Sequence, residues 1–285
     1  MLKAFNKAMD YIEDHLTENI ESQKIAQIAL VSDYHFRRMF SYLTGLSLSE
    51  YIRKRRLSEA ANALLAGTSV TEAAFLYGYD SLEGFSRAFK EWSGRTPKSV
   101  QEGKFVPTFS KINFQMTMTG GKSMEVKIVE KPAFKLIGVQ KRVKQQYEGV
   151  NQEILDFTHT ITEEQRKKMR ALGDLFPKMP LNISYEADET HLTHMIGFAS
   201  TQDNIFEDLV QIEVPENLWA IFSSKGVFPN DFQATWKEIF SQWIPSSDYE
   251  LVDLPQISFT DWLSEGEEKY SEIWLPLKKN RNLDF

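Results

Sequence analysis

Ser81-Leu82-Glu83-Gly84-Phe85-Ser86-Arg87-Ala88-Phe89, with Gly94 beyond it, repeats at an offset of 49 residues a pattern set by Ser32, Phe36, Arg38, Phe40 and Gly45. Identities at five positions with one offset mark a duplicated unit. Each copy opens on a serine suited to cap the free N–H groups of a helix start and closes on a glycine. In the first copy Phe36, Met39, Phe40 and Leu43 fall at i, i+3, i+4 and i+7 and share a buried face, leaving Tyr34, Arg37, Arg38 and Ser41 outside. In the second, Leu82, Phe85, Phe89 and Trp92 turn inward, while Glu83, Ser86, Arg87 and Lys90 turn outward. Upstream, Ile25-Ala26 corresponds to Ala73-Ala74, with one extra residue near Gly78, so each copy reads as a helix-turn-helix.

Between the copies, Ser47 to Ala66 reads as one long helix, opened by Ser47 and Glu50 as a capping box and closed by Gly67. A helix of that length spans roughly 28 Å, close to the ~34 Å between successive major-groove faces of DNA. Arg53-Lys54-Arg55-Arg56 on this spacer offers cations for phosphates, with Arg53 and Arg55 the chosen candidates.

The whole chain of 285 residues carries a net charge of −7, unevenly distributed. Residues 1–124 hold 16 Lys+Arg against 13 Asp+Glu; the rest holds 17 against 27. Phosphate contacts are therefore expected in the first part, and a neutral or cationic partner in the second. The absence of cysteine excludes disulfides and thiolate chemistry. Without a signal-like or membrane-spanning apolar run, the expectation is a cytoplasmic protein.

Tyr51-Ile52-Arg53 with Arg56-Leu57, Gly78-Tyr79 before Ser81, Phe85 to Lys90, and Gly94 with Thr96-Pro97 together resemble the AraC family of transcription regulators over about Phe5 to Gln101. The resemblance implies double-stranded promoter DNA as partner, RNA polymerase as a second, and activation as the output. It places Tyr34, Arg37 and Arg38 where the first recognition helix reads bases, and Arg87, with Ser81 at the helix start, in the second.

After Pro97 the helical period stops. Residues 105–124 read as a linker, Phe105 to Ser110, and a leading strand in which Ile112, Phe114, Met116 and Met118 alternate before Gly120-Gly121. From residue 125 a fainter echo matches Lys127 to Pro132 with Gln211 to Glu216. Each opens a series of strand, strand (Lys135 to Val143; Leu218 to Lys225), helix (Gln152 to Ile161; Phe232 to Trp243) and two more strands, with Met169 to Phe176 as an extra helix. In Tyr270 to Pro276, alternation sends Ile273 and Leu275 toward the helices and Tyr270, Glu272 and Trp274 to the opposite face. A carboxylate between aromatic rings suits an amphipathic cation; an exposed edge glutamate is the plainer alternative.

The paired echoes, Trp219-Ala220-Ile221-Phe222 with Gly226, Thr235-Trp236 and Glu272 to Leu277 resemble the GyrI-like effector-binding domain over residues 125–279, in a Rob-like architecture. That resemblance implies a small hydrophobic or cationic effector held by Glu272, with Trp219, Trp236 and Tyr185 beside Tyr270 and Trp274. The expected fold is an all-α tandem helix-turn-helix domain (1–104) followed by an α+β domain (125–285) of duplicated βαββ units, an SH2-like motif pair on an antiparallel sheet.

Enzyme signatures are absent. Gly120-Gly121-Lys122-Ser123 lacks the first half of a phosphate loop, and Glu163-Glu164 and Glu265 to Glu268 read as exposed carboxylate runs. His191 and His194, near Asp188 and Glu189, suggest a solvated hairpin rather than a metal site. No cofactor, metal or catalytic residue is expected. The rival readings are a C-terminal domain that docks a protein, and one that hydrolyses small electrophiles with Glu272 as general base.

Overall fold

Hydroxyl side chains start most helices of the N-terminal half. The computed structural model describes residues 2–103, 106–114, 125–146, 149–188 and 190–279, in two compact units, Met1–Met118 and Thr119–Phe285. In the first unit run α1 (Leu2–Asp14), α2 (Ser22–Ala29), α3 (Asp33–Thr44), α4 (Leu48–Leu65), α5 (Val70–Leu76), α6 (Leu82–Ser93) and α7 (Pro97–Gln101). Ser32, Ser47, Ser69, Ser81 and Thr96 each accept a hydrogen bond from the backbone N–H three residues on. Gly45 and Gly94 close α3 and α6 in the left-handed conformation, both at φ 70°.

The two helix pairs, α2/α3 and α5/α6, bury the faces that their periodicity marks, with Phe36, Phe40, Phe85 and Phe89 fully enclosed. Leu82 differs from expectation: at the first turn of α6 it stays 37 % exposed. At the start of α4, Ser47 caps Glu50 N–H, whereas the Glu50 carboxylate pairs with Lys54 at 2.8 Å.

The expected leading strand is replaced, over its described part, by a segment without regular secondary structure that is fastened to the helices. Phe114 exchanges two hydrogen bonds of 2.9 Å with the Asn6 amide, Ile112 N–H reaches Tyr51 Oη, and Phe109 N–H reaches Ser58 Oγ. The Phe114 ring meets Phe5 and Phe40 edge to face. Side chains satisfy this backbone in place of a neighbouring strand. Met116, Met118 and Gly120 to Ser123 lie outside the described residues.

Among the described residues, the second unit holds a nine-stranded sheet. Its strands are β1 (Val126–Lys131), β2 (Phe134–Lys144), β3 (Leu181–Tyr185), β4 (His191–Ser200), β5 (Val210–Val214), β6 (Asn217–Val227), β7 (Tyr249–Leu251), β8 (Gln256–Thr260) and β9 (Glu268–Lys279). The order β1-β6-β9-β8-β3-β4-β2-β5, all antiparallel, maps onto itself when the halves are exchanged, with β7 added beside β9. Helices α8 (Gln152–Thr160) and α10 (Asn230–Glu238) correspond, the latter running on through a π-helical turn, Ile239–Trp243. The extra helix α9 spans Glu163–Leu172, earlier than expected, because Thr162 and Gln165 form a full capping box.

Register corrects the internal echo by one residue. Lys131 pairs with Asn217 as Val214 pairs with Phe134, and Val129 pairs with Trp219 as Ile212 pairs with Leu136. Lys131 thus corresponds to Val214, and Pro132 to Pro215. A slip of one residue exchanges the faces of a strand, so this correction decides which side chains share a surface.

Candidate functional site

The site begins with alternation along β9 and its neighbours. Trp274 is opposite Ile221 on β6 and Ile257 on β8, and Glu272 is opposite Ser223 and Phe259. Trp219, opposite Pro276, and Tyr185 fall on this same face by register. The other face carries Phe222 and its partner Ile273; the Phe222 ring meets Trp243 of the π-helical turn edge to face at 4.9 Å. Trp236 belongs to the helix run on that helix-bearing side, stacked on Phe240 at 5.8 Å. The sheet separates it from Glu272, which corrects its expected place in the pocket.

Glu272 is 8 % exposed, and each carboxylate oxygen is occupied. Tyr270 Oη donates to Oε1 and Trp274 Nε1 to Oε2, both at 2.6 Å. Burial, together with the hydrogen bond to Glu272 and its charge, pushes the Tyr270 phenol up to about 12, so it remains a donor. Around Trp274 stand Phe259, edge-on at 6.3 Å, and Phe176, stacked at 6.4 Å from the loop after α9. Phe176 is itself 61 % exposed, forming an outer wall that sequence patterning did not single out.

A cation already occupies this aromatic surface: Lys131 Nζ lies 4.1 Å from the Trp274 ring centroid. Burial pulls the Lys131 ammonium below its ordinary value, while the Glu272 charge opposes that shift. Trp219 is fully enclosed, and its indole N–H has no hydrogen-bond partner among the described residues. Tyr185 donates to Gln140 Oε1; burial first, then the charge of Glu186, raises its phenol to about 12. A separate surface depression of about 670 Å³, lined by Ile128, Glu130, Asn217, Tyr249 and Lys278 among others, includes none of these residues. On β4, His191 and His194 are three residues apart and so project from opposite faces; Glu189 lies outside the described residues.

On the helical unit the expected DNA-reading residues differ in availability. Arg87 is exposed on α6, and Ser81 Oγ caps that helix. On α3, Arg38 is half-buried, donates to Tyr34 Oη at 2.6 Å and lies over the Tyr34 and Tyr42 rings. Arg37, expected to project outward, is 6 % exposed and its Nε bridges both oxygens of Asp33 one turn earlier.

The basic cluster of α4 divides more sharply. Arg53 is exposed, with Glu91 at 4.0 Å. Arg55 is buried and pairs with Glu13 and Glu59, reaching the Phe109 carbonyl as well. Burial alone would make it easier to deprotonate, but the bonds and charges of Glu13 and Glu59 hold it above its ordinary value. A phosphate role for Arg55 is therefore replaced by a structural one, since a guanidinium satisfied by two carboxylates has no fork left for DNA. Arg56 donates to the Leu16 and Glu18 carbonyls and lies against Gly78, where a Cβ would come within 2.9 Å of its guanidinium.

Comparison with known proteins agrees with this division. Residues 124–278 match the GyrI-like small molecule binding domain, and residues 25–103 match a helix-turn-helix domain. The Right origin-binding protein of Escherichia coli (strain K12) is 33 % identical over 152 residues, covering 52 % of this chain and 50 % of that protein. The uncharacterized HTH-type transcriptional regulator YbfP of Bacillus subtilis (strain 168) is 40 % identical over 90 residues, covering 31 % of this chain and 30 % of that protein. The chain thus spans half or less of the length of these curated relatives. Among solved structures, SAV2435 bound to tetraphenylphosphonium aligns at 15 % identity and a TM-score of 0.45, over 54 % of this chain and 94 % of that one.

Proposed function

The chain belongs to the family defined by the GyrI-like small molecule binding domain, and on that premise we propose that it is a cytoplasmic transcription regulator whose second unit binds a small hydrophobic cation at Glu272. The observation that carries this reading is the buried Glu272 carboxylate, clamped by Tyr270 and Trp274, with an ammonium already lying on the Trp274 ring. A fixed anion beside π-faces favours a cation that is also apolar, because charge and ring quadrupole act together where water is scarce.

In this reading the helical unit binds promoter DNA, with Tyr34, Arg38 and Arg87 toward base edges and Arg53 toward phosphate, and activates transcription through RNA polymerase. Effector binding regulates only by the difference in its affinity for two arrangements of the protein. A regulator is favoured over a hydrolase because both Glu272 oxygens already accept hydrogen bonds, from Tyr270 and Trp274, which hold the carboxylate as a fixed binding group.

The test is a tryptophan-fluorescence titration of the full chain with tetraphenylphosphonium and with neutral triphenylphosphine oxide. Saturable binding of the cation, weakened about tenfold or more by Glu272→Gln, supports the reading. Equal binding by wild type and Glu272→Gln, or no saturation by any cation, overturns it and favours a protein-docking role.

A further inference from the structure

We infer that Lys131 is a built-in occupant of the cation seat on Trp274, which an incoming cation must displace; the inference rests on the Glu272 site proposed above. Lys131 is the last residue of β1, an edge strand of the sheet, and register puts it on the face that bears Trp219, Glu272 and Trp274. A lysine at a sheet edge ordinarily extends its ammonium into water. Here the side chain is half-buried and the ammonium lies over the indole, with no carboxylate at ion-pair distance among the described residues. The indole beneath it donates to Glu272, so the ammonium sits on the ring that defines the proposed effector site.

The duplication shows that this position does not need a lysine to fold. The corresponding residue in the other half is Val214, which is 1 % exposed in the apolar core of the same face. The counterparts of Glu272 and Trp274, by the same register, are Met195 and Gly197. Lysine, carboxylate and indole therefore occur together in one half of the pseudo-symmetric sheet, where the other half has valine, methionine and glycine. A lysine present together with the anion and the ring is what a tethered competitor requires.

The tether makes the competition intramolecular, so the ammonium acts at a high effective concentration and small hydrophilic cations lose to it. A larger aromatic cation prevails by adding, to the contact with Trp274, ring contacts with Phe176 and Phe259 beside it. At the edge strand Lys131 has solvent into which to swing. The effector class this selects is a bulky arylated monocation rather than a simple alkylammonium ion.

The experiment titrates tetraphenylphosphonium into the wild-type chain, Lys131→Met, Lys131→Arg and Glu272→Gln, following tryptophan fluorescence. Methionine keeps the unbranched stem and removes the charge. Lys131→Met is expected to bind about tenfold more tightly, Lys131→Arg within about threefold of wild type, and triphenylphosphine oxide about equally to all. In parallel, proton NMR follows the Lys131 Hε resonances, assigned by their loss in Lys131→Met. Ring current should hold them upfield in the free protein and release them at saturation. Equal affinity of Lys131→Met and a wild type that Glu272→Gln weakens, or an upfield signal that persists at saturation, overturns the Lys131 inference and leaves the Glu272 site intact. No saturation of wild type or Lys131→Met overturns both.

Discussion

Trp274 Nε1 and Glu272 Oε2 lie 2.6 Å apart, two residues along one strand, so the ring that would receive a cation also fixes the carboxylate that would neutralise it. With Tyr270 on the second oxygen, the anion is oriented before any ligand arrives. Preorganisation of this kind converts more of each contact into affinity.

Replacing Glu272 should therefore separate charge from packing. Glu272→Gln retains the shape and much of the hydrogen bonding, so its unfolding free energy should stay within about 1 kcal/mol of wild type while cation binding falls. Glu272→Met leaves the buried Trp274 N–H without an acceptor and should cost about 1–3 kcal/mol. Urea unfolding of both variants, read by fluorescence, checks the pair.

Arg55 and Arg53 should separate in the same way. Arg55→Met leaves Glu13 buried without its main partner and should destabilise the helical unit by about 3–5 kcal/mol. Arg53→Ala should leave stability nearly unchanged and reduce the slope of log affinity against log salt by about one. Thermal unfolding and DNA-binding titrations at several salt concentrations distinguish the two.

Removing the Arg87 side chain should reduce DNA affinity by about 1–3 kcal/mol on the preferred sequence and less on random DNA, the mark of a base contact. A uniform loss across sequences would assign Arg87 to phosphate. Competition binding against scrambled duplex makes the comparison.

Phe114 should anchor the segment that follows the helices. Phe114→Ala deletes the ring from its contacts with Phe5 and Phe40 and should cost about 3 kcal/mol of helical-unit stability. Faster amide exchange at Phe114, whose N–H bonds to Asn6, should accompany it.

His194, 3 % exposed between Lys141 and Ser184, has no partner for either ring nitrogen among the described residues, and burial holds it at about 4. Folding therefore favours the neutral ring. Its contribution is complete above the unfolded value near 6.5 and is lost as pH falls toward 4. Between pH 7.5 and 4.5, wild type should lose about 2–3 kcal/mol more than His194→Leu, measured by urea unfolding at both pH values.

The sequence by itself determined what repeats locally. Serine starts, glycine stops and a period of 3.6 residues made the duplicated helix-turn-helix readable, and period-two alternation placed Tyr270, Glu272 and Trp274 on one face of a strand. These features depend on neighbours within a few residues, and local chemistry suffices to specify them.

Tertiary structure decided which side chains were already committed. Four consecutive basic residues on a helix point in different directions, and contacts with Glu13, Leu16 and Glu18 withdrew Arg55 and Arg56 while leaving Arg53 exposed. Only strand pairing revealed that the second echo is shifted by one residue, that Trp236 lies behind the sheet, and that Lys131 reaches Trp274 across β6. Each of these depends on register between residues distant along the chain. No periodicity encodes that register, because it is set by how whole strands and helices bury their faces against one another.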